Sequence, residues 1–144
     1  MGMPASERLG LDIKRAEQAL MAAKSTALRA TDLTVAQYAA LAALADNPGI
    51  SGAALARTCL VTPQAMAAVL GTLETRGLVR RTRHQWHRHI LETHMTEQGR
   101  EILRVADHAA VRIERRISAA LSDHERQTLR RLLATCVDAI HEGR

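Results

Sequence analysis

Serine and threonine residues precede the apolar segments of this chain, and this pattern limits the fold to a series of helices. Thr34 followed by Gln37 has the spacing of a capping box, and Ser122 followed by Glu125 repeats it. A hydroxyl at such a position accepts a backbone N–H of the first turn, which no residue inside the helix can accept. The predicted N-cap residues are Thr34, Ser51, Thr62, Thr96 and Ser122.

Apolar residues three and four positions apart extend from these caps and predict amphipathic helices. The first helix is expected over residues 5–29, before any of the caps, and further helices over 35–45, 52–60 and 62–76. Pro63 suits the first position of the fourth helix, and Gly77 suits a left-handed C-terminal cap. Two long helices are expected within 97–142. The chain has no Phe, one Trp and one Tyr, so we expect an aliphatic core of closely packed helices.

The helical period is lost between Leu78 and Thr93. Leu78-Val79 and Ile90-Leu91 supply residues that favour strands on either side of a polar segment, "RHQWHRH". The sequence therefore predicts a β-hairpin between the fourth and fifth helices. The fold class is mainly α, with six helices and one hairpin, and the 144 residues suit a single domain.

No run of apolar residues approaches the length of a membrane span, and the N-terminal segment lacks the apolar region of an export signal. We therefore expect a cytoplasmic protein without a membrane partner. Cys59 and Cys136 lie in segments predicted as helix and are expected to be small buried thiols. No paired carboxylates, phosphate loop or nucleophile with a base is evident, so the sequence predicts no enzyme activity, no catalytic residue and no cofactor.

Positive charge is concentrated in the middle of the chain. Residues 50–96 contain six arginines and two glutamates, in a chain whose formal net charge is +5. A basic centre between nearly neutral ends indicates a surface that binds a polyanion.

A short helix, the turn "LVT" and a second helix that opens with polar residues have the order of a helix-turn-helix. In that motif the second helix lies in the DNA major groove, and its first turn and outward face meet the base edges. Gln64 is the best candidate for a base contact because its amide can pair with adenine through two hydrogen bonds. The candidate contacts on this recognition helix are Thr62, Pro63, Gln64, Ala67, Ala68, Gly71 and Thr72.

The predicted hairpin then forms a basic wing beside the helix pair. Its arginines can reach phosphates or the narrow minor groove, where the negative potential is enhanced. The candidate DNA contacts of the wing are Arg81, Arg83, His84, His87, Arg88 and His89.

At this point the chain resembles the MarR-type winged helix-turn-helix transcriptional regulators. The resemblance covers essentially the whole chain, and it rests on the order and spacing of short motifs more than on any one of them. These motifs are Leu33-Thr34, Gln37, Leu55-Ala56, Leu73-Glu74, Gly77-Leu78-Val79, Arg81, Met95-Thr96 and Gly99. The family's wing usually carries an Asp-x-Arg pair, but His87 and His89 stand at those two positions. The resemblance therefore implies a DNA-binding wing without that salt bridge, in which Arg88 or Arg83 replaces the inserted arginine.

The resemblance also implies an organisation and a mode of control. One MarR-like domain would span 1–144, with dimerisation helices over 5–29 and 97–142 and a DNA-binding lobe over 34–95. A homodimer would bind a pseudo-palindromic operator in double-stranded DNA. Most such proteins are repressors that release DNA when a small, often aromatic or phenolic, molecule binds. Tyr38 and Met21 are the candidate ligand-lining residues.

Two alternatives stay open from the sequence. His84, His87 and His89 could hold a metal ion and make the protein a metal-responsive regulator, although no Cys, Asp or Glu lies inside that cluster. The basic surface could instead serve non-specific nucleic-acid binding or protein interaction. The histidines also suggest the hypothesis that the wing grips DNA more strongly as the pH falls.

Overall fold

A computed structural model describes residues 2–143, and the sequence-predicted fold is confirmed in it. These residues form six α-helices and one antiparallel hairpin. In chain order the elements are α1 (Leu9–Ala27), α2 (Val35–Asp46), α3 (Gly52–Thr58), α4 (Pro63–Thr75), β1 (Val79–Arg83), β2 (Leu91–Met95), α5 (Glu97–Ala119) and α6 (Asp123–His141).

Each predicted cap residue lies directly before the first residue of a helix. The hydroxyl oxygens of Ser51 and Thr62 accept the backbone N–H groups of Ala54 and Ala65, at 3.2 and 3.1 Å. Both predicted capping boxes are complete, with hydrogen bonds in each direction at Thr34 and at Ser122. Thr96 accepts from the N–H of Gly99 at 3.1 Å and so starts α5. The local signals therefore fix where these helices start.

The chain divides into two compact units between Ala110 and Val111. The first unit contains α1 to α4, the hairpin and the first half of α5, and its core is aliphatic as predicted. Leucines from α2, α3 and α4 meet there with Met66, and no aromatic side chain is buried among the described residues. The second unit contains the rest of α5 and α6, and the residues described in it include no buried side chain.

The hairpin is fixed to the helices at its base. β1 and β2 pair antiparallel from Val79 opposite Met95 to Arg83 opposite Leu91. The other edge of β2 pairs with the turn before α3, where the N–H of Gly49 donates to Thr93 at 3.0 Å and the N–H of Thr93 donates to Ile50 at 3.2 Å. The hairpin therefore projects from the helix pair as a wing.

Two sequence expectations need correction. The first helix does not run over 5–29, because an extended residue, Arg8, separates a 3-10 turn at Ala5–Glu7 from α1, and a second 3-10 turn follows α1 at Arg29–Thr31. Cys59 and Cys136 are half-buried free cysteines, not fully buried ones. Burial still raises the pKa of the Cys59 thiol, which disfavours its reactive thiolate form.

No single helix within residues 2–143 combines the length and the apolar character needed to cross a membrane. The α3–α4 pair, bent by 110° at its break, meets that test only when the two helices are taken together, and both contribute to the core described above.

Candidate nucleic-acid interface

The helix α4 separates a buried face from an exposed one. Met66, Leu70 and Leu73 are buried in the core. The outward side has only small or polar residues, and Gly71 adds open space there, because a Cβ at that position would meet nothing within 4 Å. The exposed candidates predicted on this helix are Thr62, Pro63, Gln64, Ala67, Ala68 and Thr72. All of these residues are exposed, so none of them is covered by another part of residues 2–143.

The turn between α3 and α4 has a conformation that the sequence did not reveal. The N–H of Val61 donates to Ala56 at 3.0 Å and the N–H of Leu60 donates to Arg57 at 3.3 Å, the two hydrogen bonds of a Schellman cap. Leu60 holds the left-handed position of that cap, with φ of 58°, and its side chain is 92% exposed. Glycine is the usual residue there, so leucine gave no signal of a left-handed turn. The resulting bend of 110° between the helices has the geometry of a helix-turn-helix.

The C-terminal end of α4 is held from two directions. Gly77 has φ of 74° and is the predicted left-handed cap, with the N–H of Gly77 donating to Glu74 and the N–H of Leu78 donating to Leu73. The guanidinium of Arg76 donates to the carbonyl oxygens of Thr31 and Asp32, at 3.2 and 2.8 Å. The axis of the recognition helix is therefore tied to the turn after α1.

Arg81 joins the wing to α4. Its guanidinium donates to both carboxylate oxygens of Glu74, with an Nη2–Oε1 distance of 3.1 Å. This hydrogen bond is the main reason that the pKa of Glu74 is lowered from its usual value. Arg81 was predicted as a DNA contact, and this geometry also makes it a link between the two candidate DNA-binding elements.

The tip of the wing is an irregular turn between the two strands. His87 and His89 would share one face if this segment were a strand, but both lie in the turn between β1 and β2, which end and begin at Arg83 and Leu91. Hydrogen bonds to the His84 side chain and between backbone groups hold this turn. Arg88, like His87 and His89, is exposed in that turn, and Arg83 is exposed on β1.

The imidazole of His84 organises this turn. Its Nδ1 accepts the backbone N–H groups of Trp86 and His87, each at 3.1 Å. Its Nε2 lies 3.5 Å from Oε1 of Glu92, whose other oxygen lies 3.2 Å from Nε2 of His94. His84 therefore accepts at one ring nitrogen and faces a carboxylate with the other. Sequence reasoning missed Glu92 as a partner of His84, because it is eight positions away in the chain and only the hairpin register brings it close.

The metal alternative finds no cluster to support it. The rings of His84 and His87 lie 5.2 Å apart and those of His87 and His89 lie 6.1 Å apart, measured between centroids. Among residues 2–143, no group of three His, Cys, Asp or Glu side chains is placed to hold a metal ion.

The two candidate ligand residues lie on different helices. Tyr38 on α2 is half-buried, and its hydroxyl donates to Oδ1 of Asp107 on α5 at 2.6 Å. Met21 is half-buried on α1. Asp107 also lines a groove of about 700 Å³ between α2, the wing base and α5, and Arg80, Arg100 and Arg104 are among its other lining residues. The sequence did not indicate this groove, because its residues are far apart along the chain.

Comparison with known proteins identifies relatives of this architecture. Residues 31–88 match the MarR family model. The HTH-type transcriptional repressor Rv2887 of Mycobacterium tuberculosis is 32% identical over 133 residues, which cover 92% of this chain and 96% of the repressor. The repressor CouR bound to a 23-mer DNA duplex is 31% identical with a TM-score of 0.83, covering 95% of this chain and 99% of that chain.

A solved structure of Rv2887 in complex with p-aminosalicylic acid is also similar. It has a TM-score of 0.68 at 32% identity, and the match covers 90% of this chain and 98% of that chain. The same protein has been solved with salicylic acid. The similarity thus extends over nearly the full length of each relative.

Proposed function

The chain belongs to the MarR family of winged helix-turn-helix transcriptional regulators, and from that premise we propose that it is a repressor. As a homodimer it binds a pseudo-palindromic operator in double-stranded DNA, and a small aromatic or phenolic molecule releases it. The observation that carries this proposal is the exposed small and polar face of α4, fixed to an arginine-bearing wing through Glu74 and Arg81.

This arrangement can perform both parts of DNA recognition. The major groove is wide enough to admit an α-helix, and Gln64 in the first turn of α4 can read an adenine there. Arg83 and Arg88 on the wing are exposed and can neutralise phosphates or enter the minor groove. Sequence is then read by α4, and the wing supplies affinity and register.

The homodimer is supported by uncovered apolar residues on the terminal helices. α6 has an apolar stripe, and its leucine, valine and isoleucine side chains are 43–67% exposed in the single chain. Leu9, Leu11 and Ile13 of α1 are exposed as well. Several exposed apolar side chains on one helix face usually mark a protein interface. A second copy that covers them would also set two recognition helices about 34 Å apart, one turn of DNA. The residues of the α6 stripe are Leu129, Leu132, Leu133, Val137 and Ile140, together with the half-buried Cys136.

Release by a ligand is supported by the relative that binds salicylic acid and by the hydrogen bond between Tyr38 and Asp107. This bond joins α2 of the DNA-binding lobe to α5. A ligand that binds near Tyr38 or in the groove that Asp107 lines would compete for it and alter the position of α2. The arginines of that groove suit a carboxylate ligand, which would compete with Glu97 for Arg100 and with Glu101 for Arg104.

The test is a footprint of the full chain on the DNA that flanks its own gene, followed by competition. A specific repressor protects one site and prefers it to random duplex by at least about a thousandfold at physiological salt. Salicylic acid is the first probe for release. Equal affinity for random and protected DNA would indicate the non-specific alternative, and a loss of binding on chelation would indicate the metal-responsive one.

A further inference from the structure

The tip of the wing exposes the chain's one tryptophan. Trp86 is 79% exposed in the turn between β1 and β2. A tryptophan side chain can bury 150–250 Å² of surface, roughly, and is among the residues that dominate interfaces. Its indole therefore has most of its contact area available for a partner.

The backbone that presents the indole is ordered by specific hydrogen bonds. The N–H of His84 donates to Ile90 and the N–H of Ile90 donates to His87, both at 2.8 Å. The N–H groups of Trp86 and His87 both donate to Nδ1 of His84. With Glu92 at its other nitrogen, the His84 ring is held in the tautomer that accepts at Nδ1. The tip is thus preorganised, which lowers the entropy cost of binding.

The charge around Trp86 identifies the kind of partner. Residues 75–91 contain five arginines and no Asp or Glu. Two of them, Arg83 and Arg88, are exposed and flank the tryptophan along the chain. An indole between arginines fits a polyanion that also has apolar surface, and the sugar edges of a DNA minor groove provide both. That groove is about 6 Å wide, enough for an aromatic ring that enters edge-on.

We propose that Trp86 is a DNA-contacting residue of the wing tip, which packs its indole against deoxyribose in the operator's minor groove, and that His84 is its positioning residue. This inference rests on the proposed function and adds a contact that the helix-turn-helix does not provide. It also offers a substitute for the Asp-x-Arg pair that this wing lacks, because an apolar contact needs no acid to orient it.

Intrinsic fluorescence tests the contact directly, because tryptophan can be excited selectively over tyrosine and the chain has one Trp. The full chain is titrated with its footprinted duplex. We expect the emission of Trp86 to change and its quenching by acrylamide to fall, both saturating at the duplex concentration that saturates the mobility shift. Unchanged emission on a bound duplex overturns the proposal.

Variants of the turn give the second measurement. Trp86→Ala should weaken operator affinity at least about fivefold, the low end of the effect of losing an aromatic contact to a nucleotide. Trp86→Phe should recover most of that loss. Gln85→Ala, a change of an exposed neighbour in the same turn, should leave affinity unchanged. Wild-type affinity in Trp86→Ala would overturn the proposal while leaving the proposed function intact.

The role of His84 needs a readout that is independent of binding. In the free protein, His84→Ala should lower the fluorescence anisotropy of Trp86, and His84→Asn should restore it, because the Asn oxygen can accept the same N–H groups. Equal anisotropy in all three proteins removes the positioning role. A wild-type protein that binds no specific duplex would reject the proposed function, and this inference with it.

Discussion

Arg81 on β1 donates to both carboxylate oxygens of Glu74 near the end of α4, at 3.1 and 3.4 Å. The pair joins the wing to the recognition helix, although seven positions separate the two residues in the chain. A bidentate guanidinium–carboxylate pair fixes direction as well as distance. The angle between the two DNA-binding elements therefore depends on this contact.

Arg81→Met should raise the pKa of Glu74 toward its usual value, because the hydrogen bond that lowers it is lost. A lowered folded-state pKa contributes stability above the unfolded value, and this contribution disappears as the pH falls through the folded-state value. The Glu74 side chain is 42% exposed, so we expect a loss of only about 0.2–1 kcal/mol at neutral pH. Carboxyl NMR titration measures the pKa, and denaturant unfolding measures the stability.

Glu74→Gln is the matched control for that experiment. In proteins that carry Glu74→Gln, the difference in stability caused by Arg81→Met should no longer depend on pH. The proposed link is wrong if wild type and Arg81→Met differ in stability by the same amount at pH 7 and at a pH below the titration of Glu74.

Gln64→Ala should relax base preference at one position of the operator. A bidentate amide–adenine pair is worth about 1–3 kcal/mol of discrimination, so the ratio between the best and the substituted base should fall by that amount. Arg88→Ala is the contrasting variant. The loss of an arginine that contacts phosphate weakens binding to every duplex alike and lowers the salt slope by about one unit. Binding to a set of single-base operator variants at several salt concentrations separates the two effects. A Gln64→Ala protein with unchanged preference would show that the recognition helix is placed in another register.

Local signals and tertiary contacts explain why some features were predictable and others were not. Thr62, Pro63 and Gly77 act on the backbone within a few residues, so their patterns predicted the limits of α4 correctly. Leu60 adopts a left-handed conformation that its residue type does not signal. The fold imposes that conformation through the packing of α3 against α4.

The contacts between elements were beyond prediction for a different reason. Tyr38 and Asp107 are 69 positions apart, and Arg76 reaches Asp32 across 44 positions. Such pairs depend on how the helices pack, which periodicity does not specify. His84 and Glu92 needed the hairpin register, and the unusual turn of the wing hid that register from the sequence.

Gly71→Ala should stabilise the fold and weaken DNA binding. Alanine favours a helix over glycine by about 1 kcal/mol, and a Cβ at Gly71 meets nothing within 4 Å in the chain. On the exposed side of α4, however, that methyl group would occupy space needed for close approach to a base. The temperature of thermal unfolding should therefore rise, and operator affinity should fall.

Gly10→Ala on α1 is the matched control, because its Cβ also enters open space. It should leave operator affinity unchanged. A Gly71→Ala protein that is more stable and binds the operator as well as wild type would mean that DNA does not approach this part of α4.

Gly99→Ala should strongly destabilise the DNA-binding lobe. A Cβ there would lie 2.1 Å from the carbonyl oxygen of Leu78, which already accepts the N–H of Thr96 at 3.0 Å. The first turn of α5 or the junction between α4 and β1 must then move. Overpacking of this kind costs roughly 1–3 kcal/mol or more. Denaturant unfolding of Gly99→Ala measures the loss, and a stability equal to wild type would contradict the close approach.

Leu133→Asp should convert a dimer into a monomer. Leu133 is 44% exposed in the middle of the α6 stripe, so a second copy that covers the stripe would bury the new carboxylate. Burial of an unpaired charge costs several kcal/mol, enough to dissociate a dimer at micromolar concentration. Thr135→Asp places the same charge on α6 outside the stripe and should stay dimeric. Sedimentation measures the oligomeric state of each protein.

Loss of the dimer should also lower the operator affinity of Leu133→Asp, because a single recognition helix reads only one half-site. A wild-type chain that sediments as a monomer, or a Leu133→Asp chain that stays dimeric, would place the dimer contact elsewhere.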